Sequence, residues 1–271
     1  MQEEKEEILN KNNNNEKKRT YPSNPLEILK EFKNLKKSQI IKLSISAVII
    51  ILFGIFNNIN IIGNPTPANN CYKDNVLDFF KPLNNFYRGN DAYRIFVTVV
   101  AGILIDIIYI VGYFYWGVYA VDWRYGVTTM LFYGPRGFMQ LIVRMSLPDF
   151  LYLKYPHFPS IVVTYVQGSD FFWSGHCGFP IIAMIEAIWL KRYKTAGFCA
   201  FVSFFEYFFM INSREHYTID IIFGVLIAHY ITLHGRNWMN FIYSKINFLN
   251  KLKLQNRAEL QRIGSDLDNG D

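Results

Sequence analysis

The chain reads as an all-α integral membrane protein, a bundle of about six transmembrane helices. Three observations predict this. Six apolar runs approach the roughly 20 residues that a helix needs to cross a bilayer. They are Leu43–Ile62, Ile95–Val121, Val127–Leu147, Phe171–Leu190, Ala196–Ile211 and Tyr217–Leu233. Charge is crowded into the two ends of the 271-residue chain, although 51% of its residues are hydrophobic. No run has the strict alternation of a membrane barrel strand.

The elements follow in order. Residues 1–38 form a tail that opens charged and Asn-rich (Asn10, Asn12–Asn15), a composition that favours disorder. Pro22 and Pro25 then introduce Leu26–Leu35, whose apolar residues suit a helix lying along the membrane surface. The first apolar run follows this tail, is longer than a signal-peptide core, and reads as a permanent span. Residues 39–235 make up one membrane domain. An outer loop near Gly63–Tyr93 and a second near Pro148–Asp170 are both Pro-containing, and a third, around Asn212–Glu215, is very short. Residues 236–271 form a second tail, amphipathic and then polar.

The net charge of +6 is a topology signal and argues for no nucleic-acid partner. Lys and Arg precede the first run, follow the last, and fill the turn at Lys191, Arg192 and Lys194. Six spans put these segments on one side, so both termini are expected to be cytoplasmic. Three cysteines, Cys71, Cys177 and Cys199, suggest neither a disulfide framework nor a metal site.

Two short segments carry chemistry. Gly168-Ser169-Asp170-Phe171-Phe172-Trp173-Ser174-Gly175-His176 opens the fourth span, and His216-Tyr217-Thr218-Ile219-Asp220 opens the sixth. Both begin spans that run inward from the outer side, so His176 and His216 share a face. Asp220, four residues after His216, falls on the same side of a helix. It can orient the ring and support its positive charge, leaving the other nitrogen to attack an electrophile. His176 follows Ser174 and Gly175 at a helix N-terminus, which favours an anion. It suits the general acid and then base. His157, His229 and His234 read as ordinary loop or interfacial residues. Phosphate chemistry needs cations. Arg136 and Arg144 on the third span and Arg214 before His216 are the candidates, with Ser174 and Gly175 as further phosphate contacts and Asp170 as support. Glu186 and Glu206 lie deeper and read as groups that hydrogen-bond one helix to another.

SGH followed by HYTID resembles the sphingomyelin synthase branch of the lipid phosphatase/phosphotransferase superfamily, as does Asp170 six residues before His176. The sequence departs from that branch at Gly168-Ser169, where Cys-Gly is usual, and at Cys177, where Thr is usual. Phosphatidylcholine:diacylglycerol cholinephosphotransferases share the SGH and HYTID pair. The soluble-type phosphatase signature is absent, because Met210 stands where its Arg would be.

The resemblance implies a six-helix phosphotransferase in which His216 attacks the lipid phosphate, Asp220 activates it, and His176 assists the alcohols. It implies transfer of a phospho-alcohol, with phosphocholine expected, from a phospholipid donor to ceramide or a related lipid-alcohol acceptor. No metal or cofactor is required. Exchange with diacylglycerol, hydrolysis, or a non-catalytic lipid-binding scaffold are the alternatives. The expected location is an endomembrane (Golgi or ER) or the plasma membrane, with the active site lumenal or exoplasmic.

Overall fold

The computed structural model describes residues 35–62, 73–119, 123–142, 146–152, 154–163, 165 and 171–268. The Asn-rich start of the tail, most of the Leu26–Leu35 segment, Cys71, Arg144 and Gly168–Asp170 lie outside the described residues. Among the described residues the chain is helical and has no strand. The helices are α1 (Lys37–Ile62), α2 (Asn75–Phe79), α3 (Lys81–Gly89), α4 (Asp91–Tyr119), α5 (Arg124–Ile142), α6 (Gly175–Trp189), α7 (Tyr193–Ser213) and α8 (Thr218–Asp268).

The six expected apolar runs fall largely on α1, α4, α5, α6, α7 and α8. Among the described residues, three helical segments are long and apolar enough to cross a membrane: α4, α7 and Thr218–Ile246 of α8. The protein is a membrane protein on this ground. α6 is apolar but has 15 residues. At 1.5 Å per residue it extends about 22 Å, short of a hydrocarbon core about 30 Å thick. α5 runs unbroken through Pro135 and carries Arg136. The last helix continues through Arg236 to Asp268, so the second expected tail begins without a break in the helix.

Apolar side chains on the bundle's outside mark where it meets lipid. Phe96, Ile107 and Ile110 of α4, Phe201 and Phe204 of α7, and Ile222, Phe223 and Leu226 of α8 are exposed. In water such a surface would be costly, but hydrocarbon solvates it.

The core lies between α4, α5, α6, α7 and α8. Tyr109 and Phe179 stack with ring centroids 3.7 Å apart, and Tyr113, Tyr125, Phe132 and Ile182 pack around them. α6 packs closely on both α7 and α8. Its crossing with α8 depends on two glycines. A Cβ at Gly224 would stand 2.5 Å from the Ser174 carbonyl oxygen, and one at Gly178 would stand 2.8 Å from that of Gly224. No side chain fits at either position, and the backbones of the two histidine-bearing segments meet directly. On the other side, Ser203 Oγ of α7 donates to the Cys177 carbonyl at 3.1 Å.

Short helices α2 and α3 cover the end of the bundle where the histidines sit. Asn84 Nδ2 donates to the Asn212 carbonyl at 2.6 Å, and Tyr93 Oη donates to Asn212 Oδ1 at 3.1 Å. The Tyr152 N–H donates to the Ser213 carbonyl at 2.9 Å.

Candidate active site

His176 occupies the first turn of α6, and Pro180 lies four residues later in the same helix. Pro180 has no N–H, so the His176 carbonyl loses its helical hydrogen bond. His216 lies just before α8, and Asp220 lies in that helix's first turn. His216 and Asp220 are each 2% exposed, while His176 is half-buried.

The two segments are stitched together. The Ser174 N–H donates to the Asp220 carbonyl at 2.8 Å, and Ser174 Oγ donates to Met210 Sδ at 3.3 Å. His176 and His216 then lie with ring centroids 6.2 Å apart and planes inclined by 62°. His216 Nδ1 is 3.7 Å from Asp220 Oδ2, an ion-pair distance and longer than a hydrogen bond. Asp220 Oδ2 accepts the Tyr217 N–H at 3.1 Å. Asp220 is thus the third helical residue reaching back to the cap residue's amide, half of a capping box. The carboxylate has two functions, closing the start of α8 and facing His216. Buried Phe171 meets the His216 ring edge-on, with centroids 5.9 Å apart.

Arg136 reaches this site. Buried on α5, it donates from Nε to the Trp173 carbonyl at 2.8 Å, one residue before Ser174, and stands 5.9 Å from the Tyr133 ring centre. Gly175 lies against the same Tyr133 ring, which a Cβ would approach to 3.0 Å.

Arg214 is turned to other partners. It ends α7 in the left-handed conformation at φ 54°, donates to the carbonyls of Asp149 at 3.0 Å and Leu77 at 2.5 Å, and lies 3.8 Å from Asp78 Oδ1. Burial presses its guanidinium below the ordinary arginine value, opposed by the carboxylates of Asp78, Asp149 and Asp74. These bonds tie loops together. The Ser174 N–H and hydroxyl both serve the stitch.

Sequence reasoning missed Asp74. Its Oδ1 accepts the amides of Val76 and Leu77 at the start of α2, and its two oxygens accept Thr218 N–H at 2.7 Å and Thr218 Oγ1 at 3.0 Å. One carboxylate thereby holds two helix N-termini. An Asp before a short helix signals a cap, but its second helix lies 144 residues away.

Glu186 meets the expectation of a helix-to-helix bond. Arg124 Nε and Nη2 reach its two oxygens, each at 3.0 Å. Glu206 does not. It is fully buried on α7, and neither carboxyl oxygen has a hydrogen-bond partner among the described residues. The expectation failed because a side chain's helical face can be read from spacing, but the presence of a donor opposite it cannot.

Over residues 75–254, a stretch that contains both histidine segments, the chain matches AtPDCT1/2, a phosphatidylcholine:diacylglycerol cholinephosphotransferase family. The chain belongs to this family. No curated protein and no solved structure matches it. Membership of AtPDCT1/2 makes it a member of a lipid phosphotransferase family. It also turns the expectation away from the sphingomyelin synthase branch, because nothing in the match concerns ceramide.

Proposed function

We propose that the protein exchanges phosphocholine between phosphatidylcholine and diacylglycerol through a phosphohistidine intermediate. The observation that carries this reading is the Ser174 to Asp220 stitch, which brings two histidines and a carboxylate together at one end of a membrane bundle. The family match supports the headgroup and the acceptor.

His216 presents Nδ1 to Asp220, so Nε2 is the nucleophile. Nε2 forms a bond to phosphorus as the bond from phosphorus to the diacylglycerol oxygen breaks. His176, protonated in the complex with the phosphate anion, gives its proton to that oxygen. A second diacylglycerol returns a proton to His176 while its oxygen attacks phosphorus, breaking the bond to Nε2. Headgroup and proton are both balanced at the end of the cycle. Asp220 stabilises the imidazolium that forms on His216, and closing of the 3.7 Å gap as charge develops would strengthen the pair. Arg136, held against Trp173, offsets phosphate charge. The α6 N-terminus at Gly175 adds the positive end of a helix dipole. Arg144 and Asp170 join the proposal as a second cation and as support. Arg214 and Ser174 enter it as positioning residues.

Six spanning helices with both termini cytoplasmic complete the reading, supported by the lysine and arginine asymmetry. The site then faces the lumen of an endomembrane or the exterior. The test is product identification. Membranes containing the protein are given phosphatidylcholine with fluorescent diacylglycerol or, separately, fluorescent ceramide. Fluorescent phosphatidylcholine in the first is expected. Fluorescent sphingomyelin in the second, with none in the first, would overturn the acceptor. No product in either would favour a lipid-binding scaffold.

A further inference from the structure

A second built site lies at the opposite end of the bundle. A cavity of about 140 Å³ opens between α4, α6 and α7. α6 leads from His176 at one end to Leu190 at the cavity, 14 residue steps or about 21 Å. α7 is long and apolar enough to cross a membrane, and in the six-span reading proposed above its two ends lie on opposite sides. A molecule at the cavity mouth is therefore on the other side from the histidines.

Three features define what fits. Its outer walls include Ile107, Val111 and Phe198, each more than a third exposed on the lipid-facing side of α4 and α7. They open it to hydrocarbon. The Tyr125 hydroxyl, on a cavity-lining residue, is buried and has no hydrogen-bond partner among the described residues. Such an orphan donor is costly unless an acceptor arrives. At the mouth, Arg192 lines the cavity with its guanidinium on Tyr115, 5.1 Å above the ring, and Lys191 and Lys194 flank it, exposed. Residues 190–195 contain no acid, and the acid that does line the cavity, Glu186, is held by both of its oxygens on Arg124.

We propose that this cavity binds one anionic glycerophospholipid from the leaflet opposite the histidines. Its acyl chain lies between Ile107, Val111 and Phe198, an ester carbonyl accepts from Tyr125, and its phosphate meets the Lys191–Lys194 turn. The charge of the mouth selects an anionic lipid over a zwitterionic one.

The test uses the full chain in a non-ionic detergent and phosphatidic acid with a photoactivatable acyl chain. Label is expected on residues 107–111 and 198–199. Unlabelled phosphatidic acid should compete, and equal phosphatidylcholine should not. Lys191→Gln, Arg192→Gln and Lys194→Gln together should lower labelling on the order of tenfold. Thr195→Trp, placed on the exposed rim, should block it if the triple variant does not fold. His216→Ala should label like the wild type. Equal competition by phosphatidylcholine, or full labelling in the triple variant or in Thr195→Trp, would overturn the proposal. Loss of label in His216→Ala would assign the cavity to the tail of the reacting lipid. Because no arm reads turnover, failure of the phosphotransfer reading would leave this result standing.

Discussion

α6 carries a polar group near each end, and the two are in opposite states. Near its C-terminus, Glu186 takes two hydrogen bonds from Arg124, each at 3.0 Å, beneath the Trp189 ring. At its N-terminus, His176 faces His216 with no hydrogen bond between the rings. Its own Nδ1 is buried without a hydrogen-bond partner among the described residues, and His216 stands 3.7 Å from its carboxylate. A buried ion pair serves stability only when its hydrogen bonds are complete. A site that must gain and lose charge during a reaction keeps its groups close but not saturated. On the proposed function, the first end is built to stay as it is and the second to change.

The sharpest way to break this comparison is at His216. His216→Ala should lower transfer at least about a thousandfold, far beyond what the fall in melting temperature from truncating a buried side chain would account for. Adding Asp220→Ala to it should cost little more turnover, because the two groups work as one unit. Transfer assays on both variants, with melting curves, check this. Multiplicative losses would separate the pair.

Arg124→Ala should behave in the opposite way. It leaves the buried Glu186 carboxylate without its bidentate partner, a loss of about 3–5 kcal/mol. Thermal unfolding should show the loss, while turnover per folded molecule well below the melting temperature is retained. A stable but inactive variant would mean that both ends serve the reaction.

Gly224→Ala tests whether backbone contact brings the histidines together. The new Cβ would stand 2.5 Å from the Ser174 carbonyl oxygen, so α6 and α8 must separate. A stability loss of about 1–3 kcal/mol and a fall in activity well beyond it are expected. Activity equal to wild type would show that the crossing tolerates more than the contact suggests.

The smallest effect belongs to Asp74→Ala. Loss of one helix cap costs about 1 kcal/mol, and Asp74 serves two helices. A modest fall in melting temperature with a few-fold drop in transfer is expected. Asp74→Asn, which keeps an acceptor, should recover most of both. No difference between the two variants would assign the effect to charge instead of to capping.

Much of this molecule was legible in advance. Hydropathy located six apolar runs, and helices follow all six, because an apolar run of that length in lipid has few other ways to satisfy its backbone. Among the described residues, three helical segments meet the length and composition of a span. α6 has 15 residues, and α5 contains Pro135 and Arg136, so whether they span depends on their neighbours. That His176, His216 and Asp220 lie close together was legible because both segments open helices at the same end of the bundle.

What the tertiary structure decided was every relation across distance. Asp220 was expected to reach His216 as a helical neighbour. Instead His216 precedes α8, and the Asp220 carboxylate also caps that helix. Arg136 and Arg214 looked alike as cations near the histidine segments, yet one grips the turn before His176 and the other ties outer loops. The bond between Asp74 and Thr218 and the contact between Gly224 and Ser174 join residues 144 and 50 positions apart. A sequence determines which residue offers a donor, a charge or a missing side chain. Which partner it meets depends on how the helices pack, a balance of many side-chain contacts that no local pattern encodes.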